Sequence, residues 1–338
     1  MEPYYYTQLN KQQQRIYQAM KYGVESLADT FEVPKAETAE LSDIFYRLRL
    51  DYPEIFYIST FRNSFYPDSN LVQMKPEYLF DKNKIKEHQK AMRSRVEKLC
   101  RPMRDKTDVE KELYIHDFLC ENVTYDKLKK QYSHEIIGPL GQGVGVCEGI
   151  AKSVKILCDN LSIPCIVAIS HNNPEKNMKY RHAWNVLKIN GKWYHFDATF
   201  DNTLSKDEIR YDYVNLEDSQ IFRDHEPLVY SLPACTDGEH FYYREKKLSF
   251  TKQEDVAKRC QQAIRKGKIL TFHWRGGYLT KAMLTELLDI IAEEAKKKEC
   301  HTRISLNWPQ AVIRVRFEKE QKENAVEMED AYQEENAD

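Results

Sequence analysis

No apolar run in the 338 residues approaches the roughly eighteen that a membrane helix needs, so no membrane partner is expected. The opening MEPYYYTQLNKQQQRIYQAM lacks the basic start and continuous apolar stretch of a signal peptide. A cytoplasmic location is therefore the expectation, with export of a longer precursor a separate question. Charge of one sign is missing too: Lys+Arg 51 stand against Asp+Glu 53, a net −2. That balance argues against a nucleic-acid binder, which is usually basic overall. The eight cysteines form no CxxC pair and no Cys/His set at zinc-finger spacing, so no structural metal is expected. Without an export signal they read as reduced thiols, mostly small buried hydrophobes. GQGVGV at 141–146 lacks the GK[ST] ending of a nucleotide loop. No internal repeat is present.

What is there is a globular chain, 41% hydrophobic and 12% aromatic, long enough for two or three domains. Residues 1–104 read as a mainly helical, aromatic-rich region. Asn10 and Gln13 make a capping box ahead of Ile16, Met20 and Val24, and Leu41, Ile44, Phe45 and Leu48 fall on one helical face. PEIFYISTFRNSFYP turns extended, and a polar helix spans about 81–100. Ten of the 22 tyrosines precede residue 80; with no basic residues interleaved, they read as a layer packed on the next domain rather than a base-stacking surface.

Residues 105–238 carry the chemistry. Thr107 and Glu110 cap a helix whose apolar stripe includes His116, read as a buried, hydrogen-bonded histidine. A glycine-rich loop leads to Cys147, where a helix with Ile150, Val154 and Leu157 on one face begins. CIVAIS reads as a buried strand, and Asn190-Gly191 joins two β-rich runs as a hairpin. A two-residue turn pairs Ile189 with Lys192, which sets Trp184 opposite Asp197 and His182 opposite Thr199. His182 and Asp197 are then same-face diagonal neighbours, roughly 7–8 Å apart at Cα and within reach of an imidazole–carboxylate hydrogen bond. Cys147 begins a helix, where free N–H groups and the dipole favour the thiolate. These three form a set: Cys147 as nucleophile, His182 as base and acid, and Asp197 holding the ring. Gln142 is a candidate oxyanion donor on proximity alone. His195, on the same face and opposite Val186, and Asp201, past the strand, are the competing assignments. His134 and His171 lie in loops.

The stretches GVCEGIAKSVKILCDNLSIPC and RHAWNVLKINGKWYHFDATFD resemble the transglutaminase-like core shared by animal transglutaminases, peptide N-glycanases and many bacterial proteins. There Gly-Val-Cys-x-Gly carries the nucleophile, His-Ala-Trp-Asn the base and Trp-Tyr-x-x-Asp-x-Thr the aspartate, matching Cys147, His182 and Asp197 in the same order. IHDFLCENVTYD resembles the helix before that core, and YYYTQLNKQQQRIY with DYPEIFY resembles an N-terminal extension of bacterial members. One position departs: Ile150 stands where an aromatic is common, a change that leaves the three residues intact. The resemblance implies an α+β fold with a papain-like core, its nucleophile helix packed on an antiparallel sheet. It further implies a cysteine enzyme forming a thioester on a peptide or glutamine side-chain amide, with protease or deamidase chemistry favoured over crosslinking. The substrate would be a protein or peptide. No cofactor is implied, nor calcium, since no EF-hand-type acidic loop occurs. The rival from another class is a non-catalytic peptide-binding scaffold that keeps the fold, with FHWRGGY (272–278) and the acidic tail as partner surfaces; for FHWRGGY, a strand end and glycine turn is the plainer reading.

Residues 239–317 read as a small α/β domain and 318–338 as an acidic, disordered tail. That tail holds nine acidic and two basic residues, which leaves the first 317 residues at +5. A mildly basic body permits an acidic substrate.

Overall fold

The computed structural model describes residues 2–176, 178–319 and 325–331. Helix α1 (Lys11–Glu25) opens on the Asn10–Gln13 capping box. After β1 (Phe31–Pro34), helix α2 (Thr38–Asp51) buries Leu41, Ile44, Phe45 and Leu48. The extended aromatic segment becomes β2 (Ile58–Phe65), hairpinned to β3 (Leu71–Tyr78), with β1 on the other edge of β3. The region stays mainly helical, and the sheet adds β1 and β3 to the extended segment: in β3 Val72, Met74 and Pro76 alternate inward, but Lys75 and a proline disguise the period. Helix α3 (Lys82–Cys100) buries Ile85, Met92, Val96 and Leu99.

These elements are not a free-standing lobe. Leu41, Leu48, Met92 and Val96 share one apolar cluster with Ile115, Val154, Leu157 and Leu187. Polar anchors reinforce it. The buried Asp51 carboxylate accepts the Tyr17 hydroxyl at 2.7 Å and the Tyr5 N–H at 3.0 Å, and the Tyr5 hydroxyl donates to the Val167 carbonyl at 2.6 Å.

Helix α4 (Asp108–Asn122) begins at the Thr107–Glu110 capping box, and α5 (Cys147–Asn160) follows the glycine-rich segment. Next comes an antiparallel sheet in chain order: β4 (Cys165–Ile169), β5 (Ala183–Ile189), β6 (Lys192–Phe196) and β7 (Val214–Leu216). Helix α5 docks on it, Asn185 donating to the Ala151 carbonyl at 2.9 Å. Asn190 and Gly191 both have left-handed φ (48° and 87°), as a primed hairpin turn demands, and Ile189 pairs with Lys192 in the expected register. The ladder is shorter than expected. It ends at Phe196, and Asp197 instead caps helix α6 (Ala198–Leu204), accepting the N–H groups of Thr199 and Phe200.

The C-terminal sheet runs in the order Ser249–Phe250, β8 (Leu270–Trp274), β10 (Val312–Glu318), β9 (His301–Asn307), β11 (Ala325–Met328). Helices α7 (Gln253–Lys266) and α8 (Lys281–Lys296) complete the unit. Within 272–278, Phe272 and Trp274 are buried and Gly277 turns at φ +114°. The tail expectation needs correction. Glu318 ends β10, β11 pairs parallel with β9, and Glu329 meets Nη1 of the buried Arg210 at 2.6 and 2.8 Å. Edge-strand hydrogen bonds and one buried guanidinium order a segment whose composition alone reads as solvated. Residues 320–324 and 332–338 of the tail lie outside the described residues.

Candidate active site

Cys147 is the first residue of α5, preceded by extended Val146 (φ −101°, ψ 174°). The N–H groups of a first helical turn have no intrahelical acceptor, and the Cys147 N–H belongs to that turn. Gly149 explains the spacing of the motif: a Cβ there would lie 2.1 Å from the Ser133 carbonyl oxygen, so only glycine lets this turn press against the preceding loop. That loop is pinned by the Val146 N–H donating to Ser133 O at 3.0 Å, and by Asp126, which accepts the Ser133 hydroxyl and the Leu128 and Lys130 N–H groups.

Beneath the thiol lies a buried charge network. Lys152 pairs with Glu135 and with Glu148, each at 2.8 Å, and Arg49 pairs with Glu135. Burial works against ionisation of Glu148, but the charge of Lys152, the hydrogen bond with His134 and the charge of Arg49 hold its carboxyl far below the usual range. Helix α2 thus reaches the site from the N-terminal region.

On the sheet side, His182 Nε2 donates to Asp197 Oδ2 at 2.6 Å. The same oxygen accepts His225 Nε2–H at 2.9 Å, and His225 Nδ1–H donates to Asp224 at 2.8 Å. Both His225 nitrogens thus face carboxylate oxygens, an arrangement that favours the imidazolium. Burial alone would lower the His225 pKa; its bonds to Asp197 and Asp224 raise it instead. Burial likewise opposes the Asp197 charge, and the two histidines overcome it and hold that carboxyl well below its ordinary value. Trp184 stacks on His182 (5.8 Å, 15°), and Phe200 lies 4.5 Å away.

Cys147 and His182 line one cavity of about 550 Å³, together with Tyr46, His134, Glu148 and Arg181. A larger hollow of about 720 Å³, beside Phe56, Met92 and Asn160, includes neither of them and no His–Asp pair. Asp197 sits behind His182, buried.

Gln142 is not brought to the cavity: it is exposed, and Gly143 (φ +68°) turns the chain away after it. The Tyr46 hydroxyl is the cavity's side-chain donor from α2; burial pushes its pKa well above the usual value, with Glu148 and Cys147 among the charges that add to this. His195 pairs with Val186 as expected but serves elsewhere. Its Nδ1 accepts the Trp184 indole N–H at 2.9 Å, which sets Nε2 as the protonated nitrogen, donating to Asp218 at 2.8 Å. Asp201 takes the backbone N–H groups of Asp212 and Tyr213 and pairs with buried His116. His225 and Tyr46 escape sequence reasoning: neither belongs to a motif, and Tyr46 follows Phe45 on an ordinary apolar face. His134, unplaceable by sequence, lies 3.7 Å from Glu148.

Residues 97–198 match the profile of the Transglutaminase-like superfamily. This segment is a transglutaminase-like core. Solved structures similar to the chain include one described as a TGase, at 11% identity and TM-score 0.27, the match covering 50% of each chain. A provisionally assigned cysteine protease from Cytophaga hutchinsonii is 19% identical with TM-score 0.28, covering 42% of this chain and 61% of its own. A provisionally assigned protease from Parabacteroides distasonis is 12% identical with TM-score 0.25, covering 41% and 36%. The aligned part thus spans about half of the TGase chain. No curated protein matches. The transglutaminase-like core sits in an α+β fold, and among the described residues no helix is long and apolar enough to cross a membrane.

His182, Asp197 and His225 are residue types that bind metals, and their ligand atoms cluster. Two ligands about 2.0–2.2 Å from one ion lie roughly 3 Å or more apart, whereas the 2.6 Å His182–Asp197 separation is that of a direct hydrogen bond. The arrangement suits a proton, not an ion.

Proposed function

We propose that the protein is a cysteine-nucleophile acyl-transfer enzyme acting on peptide or glutamine side-chain amides, with hydrolysis its main outcome. The observation that carries this reading is the shared cavity of Cys147 and His182, with Asp197 hydrogen-bonded behind the ring at 2.6 Å. With Nε2 committed to Asp197, Nδ1 of His182 would take the thiol proton. The Cys147 thiolate then attacks the amide carbonyl, forming a C–S bond while the C=O pair moves onto oxygen. The Cys147 N–H and the Tyr46 hydroxyl would receive that oxyanion. Collapse expels the amine or ammonia, which leaves with the proton from His182, and a thioester remains. Water, activated by the neutral ring, completes hydrolysis and regenerates the thiol.

The imidazolium at His225 has a role in this scheme. It compensates the buried Asp197 charge while His182 is neutral, so the carboxylate stays ionised throughout the cycle. Hydrolysis is favoured over transfer because the rim is built from exposed side chains, including Tyr180 at 60% exposure, which admit water to the acyl-enzyme. Mass spectrometry of glutamine-containing peptides incubated with the full chain, with and without a primary amine, tests the reading. Cleavage or deamidation supports it; a dominant amine adduct would reassign it to crosslinking. No covalent change and no thioester would overturn it.

A further inference from the structure

The mouth of the Cys147 cavity carries more positive charge than thioester chemistry needs. Lys129, Lys179 and Arg181 all line it, and Glu148 is the sole carboxylate among the lining residues. Glu148 is turned inward, 2.8 Å from Lys152 and 3.7 Å from His134, so its charge is spent within the protein. Among the described residues, no ion pair holds Lys129, Lys179 or Arg181. Neighbouring charges behave differently: Lys176, on the same loop, is tied to Glu226 at 2.6 Å. Lys129 rests 4.2 Å from the Tyr180 ring centroid, so the two loops that carry the cations meet at the rim.

Three cations around one opening, left without carboxylates of their own, make a field that draws anions to the thiol. Resting on the reading of Cys147 as nucleophile, we propose that this rim selects peptide substrates with acidic residues beside the reacting amide. Arg181 directly precedes His182, and its planar fork can take a carboxylate in bidentate fashion next to the base. Lys129 and Lys179 would hold acidic side chains farther from the reacting carbonyl. The three cations line one cavity, with Lys129 against Tyr180 between Lys179 and Arg181, a small cluster that fits side-chain carboxylates better than a nucleic-acid backbone.

The test needs no known substrate. Cys147 is alkylated in the full chain with iodoacetate, which is anionic, or iodoacetamide, which is neutral, and the rates are read by peptide mapping. The comparison variant is Lys129→Asn/Lys179→Gln/Arg181→Gln; asparagine suits position 129, whose φ is +49°. The ratio of iodoacetate to iodoacetamide rates should fall at least about fivefold in the variant, and should fall in the parent protein as salt is raised. An unchanged ratio with fast labelling overturns the rim proposal and leaves the nucleophile reading standing. Labelling no faster than an ordinary thiol with either reagent overturns the nucleophile reading instead. A second arm then decides the rim: fluorescent peptides with glutamate or lysine flanks are titrated against Cys147→Ala. Tighter binding of the glutamate series upholds charge selection, and equal binding removes it.

Discussion

Of the Cys–His–Asp groupings among the described residues, which include Cys235 with His195 and Asp218, two resemble each other closely and only one has the makings of a catalytic site. His116 meets Asp201 at 3.0 Å, much as His182 meets Asp197 at 2.6 Å, and Cys120 Sγ lies 3.8 and 4.0 Å from the two nitrogens of His116. Near-equal distances to both nitrogens put the sulfur off the lone-pair direction of either one, so neither is placed to take its proton in line. Both His116 nitrogens already face carboxylates, Asp117 and Asp201. The ring also stacks on Tyr211 at 4.8 Å and 24°. Cys120 lies within a helix, where the backbone N–H groups are spent, whereas Cys147 begins one. The aspartates differ as well. Burial pushes Asp201 up, with the Asp212 charge adding to it against the pull of His116, while two histidines hold Asp197 down. A histidine–aspartate bond is therefore common structural material; a sulfur at a helix start, opening on a cavity, is what turns it toward chemistry.

The sharpest way to break this contrast is to remove each sulfur. Cys147→Ala should lower amide turnover by at least about 10⁴-fold, and Cys120→Ala should stay within about twofold of the parent. A reversed ranking in the peptide assay would exchange the two sites. Next come the carboxylates. Asp197→Asn should cost about 10³–10⁴-fold in kcat with a small change in Tm. Asp201→Asn should do the opposite, lowering Tm while activity per folded molecule persists, because Asp201 holds backbone N–H groups rather than the catalytic ring.

Smaller effects sharpen the picture around the cavity. Tyr46→Phe removes one hydroxyl and should lower kcat about 10²-fold with KM little changed; an equal loss in KM alone would make Tyr46 a binding residue. His225→Gln should lower kcat about tenfold and leaves a readable pH signature. The folded-state pKa of His225 is raised, so its stabilising charge is fully present below the ordinary value of about 6.5 and is lost as pH rises through the folded value. The Tm gap between parent and His225→Gln should therefore be widest near pH 6 and narrow with increasing pH. A gap that widens instead would mean the ring is neutral in the fold.

Much of this was legible before folding. Capping boxes at Asn10 and Thr107, the helix that opens at Cys147 and the Asn190-Gly191 turn are local signals, and each is met by the atoms it names. The two-residue turn fixes the register as far as Asn185 opposite Phe196 and so brings His182 and Asp197 to one end of the hairpin, but the ladder stops short of both and the bond itself is made by Asp197 as it caps α6. Other features were hidden for a physical reason. Gln142 is near Cys147 along the chain, but proximity in sequence is not direction, and Gly143 bends the backbone away. The tail strand owes its order to Arg210 and to β9, more than a hundred and about twenty residues upstream respectively, which no composition window senses.

Residue order alone was enough to specify a cysteine at a helix start, a histidine at a strand's edge and an aspartate across the hairpin, because helix caps and primed turns are decided over a few neighbouring residues. It also specified a mildly basic body. The second histidine on Asp197, the tyrosine delivered from α2, the cations gathered at the rim and the discrimination between two look-alike groupings were settled only by the tertiary fold. Each depends on segments tens to more than a hundred residues apart meeting at distances of a few ångströms, and packing of the whole chain is what sets those distances.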